Sequence, residues 1–387
     1  MQKHSGHIPV LDGIRGLAIL MVMVAHFTTI LESFIKSFFP FLGPIITKFA
    51  LAGLMGVDLF FVLSGFLITG ILLDTKGTQR FFTNFYARRF LRIFPLYYGV
   101  LLLLFFVLPK CISFDTEAKV ISANQWWLWT YLTNFPGHPE WDSSKLFLLG
   151  HFWSLAVEEH YYLIWPFVVY FCPNPQLKKI CAMWIVLSIT SGLFSSFISR
   201  DIFPFLRWST ITFSGGLMLG ALCAVVAREE KGLARYASYT NRMIAIFGVL
   251  FFALSMMPRS MHLDILNHYI SWFFFVSILV AALTSHQNRR NYLADFFNMN
   301  PMKTLGKVSY GLYVYHFILL PFFEKYYNPM VWMHYIDSPF VVAVLCFMLT
   351  IGSTFLVSWI SWQVYEKQFL KLKNYFESEK RPTAVAV

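Results

Sequence analysis

The sequence predicts an all-α membrane protein with about ten transmembrane helices and both termini on the cytoplasmic side. Three observations predict it. Apolar residues make up 57% of the 387-residue chain and charged residues only 13%, about half the charged share of a soluble domain, so the bilayer rather than water must be its main solvent. Apolar runs suited to a span of about 20 residues recur at 11–31, 49–73, 93–108, 151–171, 180–198, 208–227, 243–257, 268–285, 308–324 and 339–362. With the N-terminus inside, alternate segments carry 21 lysines and arginines inside against 9 outside, which is the positive-inside bias.

The first run carries Asp12 and Arg15 and has no small-residue cleavage site after it, so it is expected to be retained rather than removed as a signal. The third and seventh runs are short and need flanking residues to cross. The stretch "NQWWLWTYLTNF" at 124–135 is too short to span and reads as interfacial; counted as an eleventh helix it would turn "KLKNYFESEKR" outward and scramble the charge pattern. The longest loop, 109–150, is expected to face outward, and its tryptophans and "PGHPEWD" suit a lid or an acceptor-docking surface. Residues 363–387 form a cytoplasmic tail. The net charge of +11 sits in short loops, where it sets topology, so no nucleic-acid partner is expected. Cys111, Cys172, Cys181, Cys223 and Cys346 lack metal-ligand spacing and read as packing residues, with no disulfide framework and no metal site. No soluble domain, linker or internal repeat is apparent.

An ionisable residue inside a span is costly unless paired or hydrated, so each is a candidate functional residue. In "LDGIRGLAILMVMVAHF" Arg15 and His26 are eleven positions apart, three helical turns plus about 20°, so they share a face. Their axial separation, about 16 Å, matches an extended pantetheine arm. The bland alternative is that Arg15 snorkels to lipid phosphates while His26 satisfies a neighbouring helix. In "HFWSLAVEEHYYLIWP" the stripe His151, Ser154, Glu158, Tyr162 lies along one face; Glu159 points about 100° away and is expected to be structural, since two adjacent carboxylates are not expected to face one cavity. In "GVDLFFVLSGFLITG" Asp58 is placed to pair with Arg15 or His26, either orienting that partner or sharing its chemistry, and glycines 56, 65 and 70 permit close helix contact. His316 in "VSYGLYVYHFILL" is expected to face inward, in a catalytic or a structural role.

Two readings also compete for Arg88, Arg89 and Arg92 in "RFFTNFYARRFLRIFPLYY": a positive-inside anchor, or a cluster that grips coenzyme phosphates, for which guanidinium geometry is well shaped. Gly216 and Gly220 in "FSGGLMLG" read as helix packing.

These segments, in this order, resemble the bacterial membrane acyltransferase family 3, polytopic O-acyltransferases that modify surface glycans, peptidoglycan or secreted small molecules. The family opens with Arg or Lys followed after ten residues by His, matched by Arg15 and His26. Also similar are "GVDLFFVLSGFLIT", the Arg-x-x-Arg element at Arg89 and Arg92, "FWSLAVEEHYYLIWP", "LGKVSYGLYVYHF" and the closing "WQVYEKQFLK", which lacks the usual proline after its acidic residue. The likeness covers nearly the whole chain and implies a single acyltransferase domain over residues 1–387 in the bacterial inner membrane, without the esterase-like domain that often follows.

With that resemblance, the expected chemistry is transfer of an acyl group from cytoplasmic acyl-CoA, with acetyl-CoA the expected form, to a hydroxyl of a glycan or small-molecule acceptor, in contact with membrane lipid. His26, Glu158, His316 and Asp58 are the catalytic candidates; Arg15, Arg88, Arg89 and Arg92 are the coenzyme-binding ones. A hydroxyl is too weak an acid to attack a thioester unaided, and imidazole is suited to removing its proton; His26 acts as that base or first takes the acyl group itself, while Glu158 raises its basicity or orients the acceptor. The rival is a transporter of a lipid-linked glycan or organic anion, against which stands the lack of paired halves with matching broken helices.

Overall fold

The computed structural model describes residues 8–111, 125–135, 149–197, 209–258, 260–284 and 291–376, which form helices and turns with no strand among them. The principal helices are α1 (Pro9–Phe38), α2 (Gly43–Leu51), α3 (Gly56–Thr75), α4 (Phe81–Leu102), α5 (Phe152–Phe171), α6 (Asn174–Phe197), α7 (Gly215–Val226), α8 (Ala237–Met256), α9 (Met261–Leu283), α10 (Asn300–Lys307), α11 (Ser309–Ile318), α12 (Leu320–Tyr326) and α13 (Pro339–Ser361). Seven helical stretches among the described residues, 9–38, 43–75, 81–110, 174–197, 232–256, 261–283 and 339–376, are long and apolar enough to cross a membrane. The protein is therefore an all-α, multi-pass membrane protein.

The three remaining runs fold differently. α5 is 20 residues long but carries the polar stripe, α7 is cut from the turn before it at Ser214, and the ninth run divides at Leu319, ahead of Pro321, into α11 and α12. The third run also differs from expectation. Its helix begins at Phe81, where Arg80 turns the chain at φ 59°, and continues through a π-helical turn at Leu103–Val107 to Cys111. Arg88, Arg89 and Arg92 are therefore helical residues, so Arg88 leaves α4 about 100° round from Arg89, while Arg92, three positions on, returns to the side of Arg89.

Backbone contact sets the helix spacing. A Cβ at Gly65 would lie 1.8 Å from the Leu217 carbonyl oxygen, and one at Gly220 would lie 2.0 Å from that of Val62, so α3 and α7 touch main chain to main chain. Small residues allow this approach where lipid provides no hydrophobic drive for association. α1 and α10 meet the same way. At the far end of α3, Arg228 Nε and Nη2 donate to the two carboxylate oxygens of Asp74, each at 2.7 Å, a bidentate tie between α3 and the turn after α7.

The stretch 124–135 does not span. Trp126–Trp129 is one helical turn laid on α4, whose Tyr97 and Tyr98 hydroxyls donate to the carbonyls of Leu128 (2.8 Å) and Trp129 (3.1 Å). Most of the loop 109–150, with its lid or docking expectation, lies outside the described residues, as does the tail beyond Phe376.

Overpacking a close contact costs about 1–3 kcal/mol or more. Gly220→Leu and Gly65→Leu are thus expected to lower the melting temperature of the purified protein by several degrees or prevent its assembly. Gly352→Ala, with nothing within 4 Å of the added carbon, leaves it unchanged. Equal melting temperatures for all three variants would exclude backbone contact between α3 and α7.

Candidate active site

Arg15 and His26 lie along α1 but open onto two different cavities. The first is lined by Arg15 from α1, Ser64 from α3, Arg89 and Arg92 from α4, Glu158, Glu159 and Tyr162 from α5, and Tyr310 from α11. The second is lined by His26, Asp58, His151, Trp153, Phe213, His268 and Phe317. Val57 and Tyr313 line both, so the two cavities adjoin at these side chains.

Three guanidiniums converge on the first cavity. Arg89 sits 5.2 Å over the ring of Tyr162, a cation–π contact, and the Tyr162 hydroxyl shares a 2.6 Å hydrogen bond with Ser64 Oγ. Arg15 bonds Asp12 on its own helix at 3.3 Å. Arg88 is not part of this wall: one position round α4, it donates to the Phe376 carbonyl at 3.5 Å. Glu158 and Glu159 both line the cavity, against the expectation that adjacent carboxylates avoid one space. The physical reason is countercharge: three guanidiniums share that space with the two carboxylates. Glu158 thus lies with the arginines and not in the cavity that His26 lines.

In the second cavity a chain of hydrogen bonds orients His26. His316, fully buried on α11, bonds the Tyr313 carbonyl through Nδ1 at 2.7 Å and faces His26 Nδ1 through Nε2 at 3.2 Å. A carbonyl only accepts, so His316 Nδ1 carries the proton, and Nε2 of the neutral ring is an acceptor. His26 Nδ1–H then donates to it, which leaves the lone pair of the neutral His26 ring on Nε2. His151 packs against His316, with the two rings 5.2 Å apart. Its Nε2 donates to the Val314 carbonyl at 3.3 Å, and its Nδ1 is buried without a partner.

Asp58 bonds neither Arg15 nor His26. Its carboxylate accepts from His268 Nδ1 (2.8 Å), Ser271 Oγ (2.8 Å) and Trp272 Nε1 (3.3 Å), all on α9. Asp58 therefore orients a histidine that the sequence reading passed over, although His268 stands in an apolar run beside Asn267 and Ser271, the same signal that drew attention to the other spans. His151 was placed in the α5 stripe without a role. Glu366, in the closing family segment, is buried in a π-helical turn after α13 and accepts from Ser361 Oγ at 3.3 Å. Among the described residues, no group of three or more His, Cys, Asp or Glu is arranged to hold a metal ion.

Comparison with known proteins adds an independent line. A family model described as an acyltransferase domain matches residues 8–361. The chain is 27% identical to peptidoglycan O-acetyltransferase OatA of Listeria monocytogenes, over 97% of this chain and 58% of that protein. It is 27% identical to O-acetyltransferase OatA of Staphylococcus aureus over 83% of this chain and 52% of the relative, and 26% identical to the putative peptidoglycan O-acetyltransferase YrhL of Bacillus subtilis over 89% and 54%. The chain thus spans about half the length of the curated relatives it matches. No solved structure matches it. With a family match across almost the whole chain, and with the motif residues Arg15, Arg89, Arg92 and Glu158 lining one cavity and His26, bonded to His316, lining the adjoining one, the chain belongs to the membrane acyltransferase family 3.

Proposed function

We propose that this chain is a membrane O-acyltransferase that moves an acetyl group from acetyl-CoA, approaching from the cytoplasm, to a hydroxyl of an envelope glycan, with peptidoglycan the first acceptor to test and the bacterial inner membrane its location. The observation that carries the reading is the pairing of cavities: one with three guanidiniums, one with an oriented imidazole, adjoining at Val57 and Tyr313. Guanidiniums match the charge and geometry of coenzyme phosphates, so Arg15, Arg89 and Arg92 are the donor's anchors. The pantetheine arm, about as long as the rise from Arg15 to His26, then carries the thioester past Tyr313.

Where the cavities adjoin, the acceptor hydroxyl attacks the thioester carbon. Its proton passes to His26 Nε2, the carbon–sulfur bond breaks, and the imidazolium returns the proton to the departing thiolate. In this scheme His316 is a positioning residue: it accepts from His26 Nδ1 and keeps the lone pair on Nε2. Glu158 offsets the charge of the arginine wall instead of acting on His26. Direct attack and a first transfer to His26 both use the same lone pair; an acetyl mass increment on the His26 peptide after rapid quenching marks the second route.

Incubation of the purified protein with labelled acetyl-CoA and cell-envelope glycan tests the reading; uptake into vesicles without transfer would mark a carrier instead. His26→Ala is expected to lower transfer at least about 1000-fold while still inserting, and wild-type turnover would reassign the base. Arg89→Ala is expected to raise the donor KM about tenfold, more than it lowers kcat, with Arg88→Ala within about twofold of wild type; equal effects of the two substitutions would dissolve the phosphate clamp. His316→Gln is expected to lower kcat about 10- to 100-fold with both KM values nearly unchanged, and an unaltered kcat would remove its positioning role.

A further inference from the structure

The second cavity holds more imidazole than one base requires. His268, on α9, lines it together with His26 of α1, and is 7% exposed. Because Asp58 Oδ2 only accepts, His268 Nδ1 carries the proton it shares with that carboxylate at 2.8 Å, and in the neutral ring Nε2 is an acceptor. That nitrogen is buried and has no hydrogen-bond partner, and the same is true of His151 Nδ1 on the same cavity. In neutral rings these two nitrogens and His26 Nε2 are acceptors, so three rings of the cavity wall each offer one acceptor nitrogen, two of them buried in the wall and unpaired. Buried polar atoms are rarely left unpaired, and an acceptor nitrogen is completed by an O–H or N–H donor. Trp153 and Phe213, which line the same cavity, add apolar ring faces. Several acceptors beside aromatic faces match a ring-shaped ligand with several hydroxyls, a sugar, better than a linear acyl chain, which has no donor to offer.

We propose that this cavity is the acceptor subsite, and that the Asp58–His268 pair binds a hydroxyl of a sugar acceptor there while His26 takes the proton of the reacting one. This rests on the transferase reading and extends it to the acceptor's chemistry. No bond is made or broken at His268. It accepts a hydrogen bond, and Asp58 is the positioning residue that holds its tautomer.

The test uses the full chain in detergent or nanodiscs, acetyl-CoA as donor and a soluble peptidoglycan disaccharide as acceptor probe. His268→Gln and Asp58→Asn are expected to raise the acceptor KM tenfold or more, with the donor KM within twofold. No change, or an equal change in both constants, overturns the proposal. Should those variants fail to assemble, the wild-type protein decides: without donor, the disaccharide at millimolar concentration raises its melting temperature by stabilising the folded state, whereas no shift, or the same shift with decanol, overturns the subsite. A wild-type protein that binds the disaccharide but transfers no acetyl would sink the transferase reading and leave the subsite standing. Transfer with unaltered acceptor KM in both variants does the reverse.

Discussion

A guanidinium or an imidazole set within an apolar helix has no solvent on the lipid side, and that constraint organises the interior of this protein. α1 carries one of each, and both turn inward. The most closely specified interaction is the hydrogen bond between His26 and His316 at 3.2 Å, because it fixes more than position. Through the carbonyl of Tyr313 it sets which nitrogen of His26 carries the proton, and so which nitrogen is left to accept one. A backbone carbonyl cannot change its role, which makes it a dependable end point for such a chain.

The helix framework makes the interior possible by closing some gaps and leaving others open. Glycine contacts draw α3 onto α7 and α1 onto α10 until backbones meet, so the polar faces of α1 and α3 are held at fixed distances from α4, α5 and α9. Where the helices do not touch, two cavities remain, and they adjoin at Val57 and Tyr313. A division of this kind suits the transfer proposed above: in that reading the charged donor lies against arginine and the hydroxylic acceptor against histidine, with the reacting atoms meeting where the two cavities adjoin.

Much of this was legible in the chain. Intramembrane polarity marked Arg15, His26, Asp58, Glu158 and His316 as inward-facing, since helical geometry and the cost of burial in lipid are local properties of a residue and its neighbours. The small residues of "FSGGLMLG" announced a close helix contact for the same reason. Hydropathy and the order of motifs were enough for the fold class and the family.

Tertiary structure alone decided which polar groups meet. Asp58 pairs with His268, 210 positions away, instead of with a residue of α1; Glu159 shares a cavity with Glu158 because arginines from two other helices supply countercharge; Arg88 leaves its neighbours because α4 begins at Phe81 and a helix sends adjacent side chains in different directions. Periodicity states which face of a helix a residue occupies, but not which helix lies opposite. That choice is made by the global packing of helices, through contacts such as Gly65 against Leu217, and it is a property of the whole chain rather than of any window within it.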